Sequence, residues 1–224
     1  MNLQALTLTI KLAVIVSAVL LVLGLPIAYW VTFSRLRWKF LVEAVVALPL
    51  VLPPTVLGYY LLVAFGSQSA LGRAYQSLTG HSLAFTFSGL VIGSLLYSLP
   101  FAVQPIVASF AAVDPKLIAA SQTLGAGGWK TFWRVILPLS RPGVVTGAVL
   151  SFAHTVGEFG VVLMIGGNIP GVTRTISIDI YDQVQSANYS QAGQTALALL
   201  LFSFVVLSLV YGLNRRAWVA WPSK

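Results

Sequence analysis

Cysteine is absent from the 224 residues, which excludes disulfides and any thiolate-held metal. Charge is scarce too. Only 8% of residues are Asp, Glu, Lys or Arg, against about a quarter in soluble domains, and this deficit argues for a chain embedded in a membrane. Acids are rarest, five against thirteen Lys and Arg, for a formal net charge of +8. That excess does not form the stripe that nucleic acid would require; it sorts by membrane side. The apolar N-terminus has no basic region followed by a small-residue cleavage site, so the first segment reads as a retained span. The length leaves no room for a second soluble domain, and residues 1–224 read as one transmembrane unit.

What is abundant is apolar surface: 58% of the chain is hydrophobic. A crossing helix needs about 20 apolar residues, and such runs fall at about 8–32, 41–65, 84–110, 142–166 and 191–213. The fold class expected is therefore all-α, with about five membrane-spanning helices. Lys11, Glu43 and Glu158 are the charges inside these runs, the first two near span ends where long side chains reach the interface. Arg35, Arg37 and Lys39 follow the first span, Lys116, Lys130, Arg134 and Arg141 the third, and Arg215, Arg216 and Lys224 the fifth. The opposite side offers Arg73 and Arg174, with Lys11 near it. The positive-inside bias thus places the N-terminus outside and the C-terminus in the cytoplasm. Pro26, Pro49, Pro53, Pro54, Pro100 and Pro105 fall within the spans. Each frees a backbone carbonyl that protein or a wet cavity must satisfy, so "LPLVLPPTVLGYY" and "SLPFAVQP" are expected to bend and line a passage.

One long segment is polar and punctuated by glycine: "DPKLIAASQTLGAGGWKTFWRVILPL", residues 114–139. Asp114 before Pro115 pairs an N-cap acceptor with proline at the first helical position. A helix should run to about Leu124 and stop at Gly125. Leu117, Ala120, Ser121 and Leu124 share one narrow, mostly apolar face. Gly125, Gly127 and Gly128 make a turn. A second helix, "WKTFWRVIL", should follow and end at Pro138, with Trp129, Phe132 and Trp133 giving it an interface-seeking side. A phosphate-binding loop aligned on Lys130 and Thr131 would need glycine where Leu124 and Trp129 stand, so no nucleotide site is expected here. A capped helix with an apolar stripe serves instead as a docking surface for another protein.

At these residues the chain resembles the permeases of bacterial ABC importers. Ala119, Ala120 and Ser121, then Gly125, then Val135, Leu137 and Pro138 match the order of their "EAA" loop, with Ala119 replacing the leading Glu. The resemblance implies that the loop inserts its first helix into a cleft on a separate ATPase subunit. ATP and Mg would then be bound by that partner, and this chain would carry no cofactor, metal or catalytic residue. It also implies a multi-pass inner-membrane protein of the type I importer kind, an extracytoplasmic binding protein as a further partner, and alternating access. "GEFG", "NIPGVTRT" and "LPLVLPPTVLGYYLL" look like the molybdate permeases of that family, over about residues 8–213. Tungstate is inseparable from molybdate by size and charge. Sulfate or thiosulfate permeases share the "GEFG"-like element and form the alternative.

No Lys or Arg sits at mid-span to trap a dianion, so hydroxyls, amides and helix ends would line its passage. Thr55, Ser98, Gln104, Ser151 and Thr155 are the candidates by position and polarity, although each hydroxyl could equally bond its own backbone. Glu158 is the deepest acid. A carboxylate repels an anionic cargo, so Glu158 is expected to hold packing or gate geometry, with His154 four residues earlier on the same helical face as its partner. Zinc would require a third ligand. The external loop has turns at Gly167, Pro170 and Gly171, then a short helix, re-entrant piece or sixth partial span around 172–188. Its Arg174, Asp179 and Asp182 read either as a solvated face or as a dock for the binding protein. Five spans are few for a sealed passage, and two identical chains would place it on a two-fold axis. A secondary transporter without ATPase would need ion-coupling groups or a repeated half. A membrane enzyme would need a nucleophile–base pair. The sequence offers neither.

Overall fold

The computed structural model describes residues 2–213, and every regular element among them is helical. The expected cytoplasmic charges Arg215, Arg216 and Lys224 lie outside the described residues. Helix α1 (Leu3–Phe33) has 31 residues, about 46 Å at 1.5 Å per residue, so it overshoots a hydrocarbon core of about 30 Å. The Asn2 side chain starts it by accepting from the backbone N–H groups of Gln4 and Ala5, a cap worth about 1 kcal/mol. Because α1 begins before the expected span, Lys11 lies two turns inside it rather than at its end.

The second expected span is broken. Helices α2 (Lys39–Val51) and α3 (Pro54–Phe65) meet at 110°. Pro53 and Pro54 have no N–H to donate, and a residue before proline is pushed to extended backbone; Leu52 has ψ 134°. A short helix the hydropathy pattern does not reveal, α4 (Ala70–Thr79), follows, capped by Ser69 and ended by left-handed Gly80. Helix α5 (Phe87–Ala111) carries Pro100 and Pro105 without breaking.

Helix α6 (Pro115–Thr123) begins as its sequence indicates, with the Asp114 carboxylate accepting from the Lys116 N–H. It ends at Leu124, before Gly125 at φ 80°. The next segment does not stop at Pro138. Helix α7 (Gly128–Thr131) passes through a π-helical turn (Phe132–Ile136) into α8 (Leu137–Leu139). In that turn the Leu137 N–H reaches back to the Phe132 carbonyl, just ahead of Pro138, which has no N–H to contribute.

Helix α9 (Arg141–Gly157) leaves at 70° to that segment. Helix α10 (Gly160–Gly166) continues toward the other membrane face after an interruption at Glu158 and Phe159. Helix α11 (Ile176–Gln185) is ten residues long, too short to cross a membrane by itself. Helix α12 (Tyr189–Leu213) ends the described chain. Helices α1, α5 and α12 are each long and apolar enough to cross a membrane, and counting each bent pair once gives up to five.

The core is the mutual packing of α1, α5 and α9. Leu8, Leu12, Val16 and Leu20 of α1 are buried at helical spacing against Leu90 and Ala102 of α5. Gly143 and Gly147 bring α9 against α5. A Cβ at Gly147 would stand 2.6 Å from the Ala102 carbonyl oxygen, and one at Gly143 would stand 2.6 Å from that of Pro105. Small residues four apart allow this approach within a membrane.

The two ends of the bundle differ. At one, Asn2 donates to Asp179 and the Thr9 hydroxyl accepts from the Ile176 N–H. At the other, Tyr29, Phe33, Phe110 and Phe132 cluster ring against ring.

Candidate functional site

Three cavities follow one another along the groove between α5 and α9. The first, about 540 Å³, is lined by Pro54, Thr55, Tyr97, His154, Glu158 and Gly160 among others. Here the break between α2 and α3 meets the break between α9 and α10: a Cβ at Gly160 would stand 2.6 Å from Pro54 Cβ. The second, about 330 Å³, is lined by Leu50, Pro100, Phe101, Gln104 and Leu150 among others. The third, about 600 Å³, reaches Ser109, Asp114, Leu117 and Thr146. The last two share Pro105 and Ala108.

On α5 the groove is formed by Tyr97, Phe101, Gln104, Ala108 and Ala112, and on α9 by Gly157, His154, Leu150, Thr146 and Gly143. Each set recurs every three or four residues, so each is one helical face. The groove therefore runs from the two helix breaks to the foot of α6. Both proline-rich pieces line it, through Leu50, Pro54 and Thr55 in one and Pro100, Gln104 and Pro105 in the other. No Lys or Arg is among the described residues that line it.

The sequence-derived polar candidates divide into two groups. Thr55 and Gln104 are exposed and face the groove. Ser98, Ser151 and Thr155 are buried in the helix seam beside it. The Ser98 hydroxyl is 2.9 Å from both His154 Nδ1 and the Thr155 hydroxyl. Thr155 donates to the Ser151 carbonyl, and the Ser151 hydroxyl lies 3.5 Å from that of Ser17. These groups tie α1, α5 and α9 together rather than meeting a passing solute.

The expected pairing of His154 with Glu158 is not formed. A four-residue spacing brings side chains together only on a continuous helix, and α9 ends at Gly157. His154 instead stacks on Phe101, with ring centroids 3.9 Å apart, beside Tyr97. Glu158 is 3% exposed. The Ser94 hydroxyl stands beside its carboxylate as a donor short of full hydrogen-bond geometry, and neither group reaches another hydrogen-bond partner among the described residues. Among the described residues no group of three or more His, Cys, Asp or Glu could hold a metal.

The loop segment presents its candidates outward. Leu117 is 48% and Leu124 87% exposed, and Asp114, Ala119, Ala120 and Gly125 are exposed with them. Ser121 departs from the expected outer face. It turns inward, 3.1 Å from the Thr131 hydroxyl, and links α6 to α7. Leu137 and Pro138 are half-buried.

At the opposite end Arg174 bonds Asn168 and lies 3.6 Å from Asp182, while Asp179 accepts from Asn2 and Gln183. Asp179 is 4% exposed, so it braces the loop instead of facing solvent. Tyr97, Ser94 and Ser17 do not figure among the sequence candidates. Their signal is the four-residue repeat of Ser94 with Ser98 and of Ser151 with Thr155, which marks polar seams between membrane helices.

Residues 8–219 match the family described as "Binding-protein-dependent transport system inner membrane component". The chain is 52% identical over 214 residues to the molybdenum transport system permease protein ModB of Azotobacter vinelandii, covering 96% of this chain and 95% of that one. It is 36% identical over 207 residues to ModB of Escherichia coli strain K12, covering 92% and 90%. Its backbone matches a chain of the MetNI methionine ABC transporter with a TM-score of 0.74 at 16% identity, covering 96% and 94%.

Proposed function

Because the chain belongs to the family of binding-protein-dependent transport system inner membrane components, we propose that it is the permease subunit of an ATP-driven importer for molybdate. Tungstate, of nearly the same size and charge, is the second cargo. The chain carries no catalytic centre of its own; ATP and Mg belong to separate ATPase subunits. The observation that carries this reading is the groove between α5 and α9. It joins the mid-span breaks to the foot of the exposed helix α6, and it is open along one side. A second copy of the chain closes that side and puts the passage on a two-fold axis.

The groove suits a dianion in transit. Thr55, Gln104 and Tyr97 offer hydrogen bonds that can be made and released in turn, and no cation is fixed there to hold the cargo. The anion's own charge is met by the hydrogen-bond donors and by the first turn of α3 at Thr55. Helix α6 takes the push. ATP-driven closure of the ATPase subunits moves Leu117, Ala120 and Leu124, and the Ser121–Thr131 contact passes that movement to α7 and on to α9. The helices then shift, and the passage faces the other side. The charge rule sets α6 in the cytoplasm, with the N-terminus and the Arg174 loop outside, where an oxyanion-binding protein docks.

The test is co-purification with the importer's ATPase subunit. The wild-type permease should bring it down in stoichiometric amount. Leu117→Glu with Leu124→Glu should lose it, because both side chains are exposed and their removal leaves the bundle intact. Retention of the ATPase by a folded double variant would overturn the docking assignment.

A further inference from the structure

Of the seven cations at the α6 end of the bundle, none with an ion-pair partner among the described residues, five stand beside exposed indole rings: Arg35, Arg37, Lys39, Lys130 and Arg134. Two segments supply them, nearly a hundred residues apart in sequence. They are brought to one end because Tyr29, in the last turns of α1, packs on Phe132, ring centroids 5.4 Å apart. Acids at this end are few. Glu43 stands one turn into α2, and the Asp114 carboxylate is occupied as the cap of α6.

Large aromatic side chains stand among the cations and face outward. Trp38 is 70% exposed, Trp129 76% and Trp133 50%. Trp38 stacks on Phe40, and Trp129 meets Trp133 edge to face. Indole rings beside lysine and arginine at the end of membrane helices are built for the headgroup level, where one edge is wet and the other apolar. A protein partner would be expected to bury such rings in a shaped pocket. Here they stand exposed on two separate segments, Trp38 just before α2 and the Trp129–Trp133 pair on α7 and the π turn.

We infer that this collar binds anionic phospholipid headgroups, and that the bound lipid fixes the position of the coupling helix. The second half follows from connectivity. Lys130 and Arg134 sit on α7 and the π turn. That turn is held to α1 by the Tyr29–Phe132 contact and to α6 by the Ser121–Thr131 hydrogen bond. A headgroup held between the two basic segments therefore steadies the platform from which α6 projects. The inference rests on the membrane reading of the chain, not on its cargo.

The test uses the assembled permease–ATPase complex in symmetric nanodiscs, so it does not depend on sidedness. Electron paramagnetic resonance compares the association of spin-labelled phosphatidylglycerol and phosphatidylcholine. Each cation near a charged surface changes association about fivefold at low salt, so a clear preference for the anionic lipid is expected, collapsing at high salt. Lys130→Gln with Arg134→Gln should cut that preference several-fold and slow ATP hydrolysis in anionic bilayers, toward the rate in phosphatidylcholine alone. Should the wild type show no lipid preference, or keep it unchanged at high salt, the inference is overturned, and neither result requires a variant to fold. It is equally overturned if the double variant sheds the ATPase subunit while its lipid preference stays intact; the patch would then be part of the protein interface.

Discussion

Glu158 sits buried at a helix break, with only the Ser94 hydroxyl beside its carboxylate and no ion-pair partner among the described residues. Such a carboxylate favours any other arrangement that supplies it a donor, by about 1.5–3 kcal/mol for a charged hydrogen bond. We propose that it acts as a gate element rather than a ligand. Glu158→Gln keeps the shape and removes the charge, so substrate-stimulated ATP hydrolysis should fall by roughly tenfold or more with complex assembly unchanged. Normal stimulation in a fully assembled variant would refute this role. His154 has the opposite character, fully engaged with Ser98 and Phe101. His154→Ala should lower stability by about 1–3 kcal/mol, read as a drop in thermal unfolding temperature in detergent. The sequence showed both residues as important but misjudged their relation, because four-residue spacing means contact only if the helix continues. Nothing in "TVGEFGVV" announces that it stops after Gly157, since the apolar pattern runs on.

The helices themselves were largely readable from hydropathy, and the cap at Asp114, Pro115 and the stop at Gly125 were readable from local chemistry. Two prolines in succession also marked the break after α2. What could not be read is tertiary. Pro100 and Pro105 pass through an unbroken α5, because a proline inside a packed helix is accommodated by its neighbours. The π turn has no periodic signature, and α4 is amphipathic but short and low in hydropathy, so apolar runs do not reveal it. The seam of α9 on α5 was legible in principle, since "GVVTG" places Gly143 and Gly147 four apart. A methyl added at Gly147 meets a backbone carbonyl that cannot swing aside. Gly147→Ala should thus cost about 1–3 kcal/mol through overpacking and widen the α5–α9 groove. Thermal unfolding checks this; a variant as stable as wild type would show that the seam gives way easily.

We propose from the charge rule that α6 lies inside the cell and α11 outside it. Because the chain has no cysteine, single substitutions can be labelled without background. Gln122→Cys, exposed on α6, should react with a membrane-impermeant maleimide only from the cytoplasmic side, and Ser186→Cys, beyond α11, only from the external side. Reversed labelling would invert the topology, whatever the cargo. Central to the mechanism we propose is that a groove without a fixed cation passes an oxyanion only when a partner's ATP moves α6. The direct measurement is uptake of labelled molybdate into vesicles holding the permease, its ATPase subunits and the binding protein. Accumulation should require ATP, yield to excess tungstate, resist excess sulfate, and vanish in the Leu117→Glu, Leu124→Glu double variant. Molybdate uptake at the same rate without ATP, or with that variant, would contradict the account.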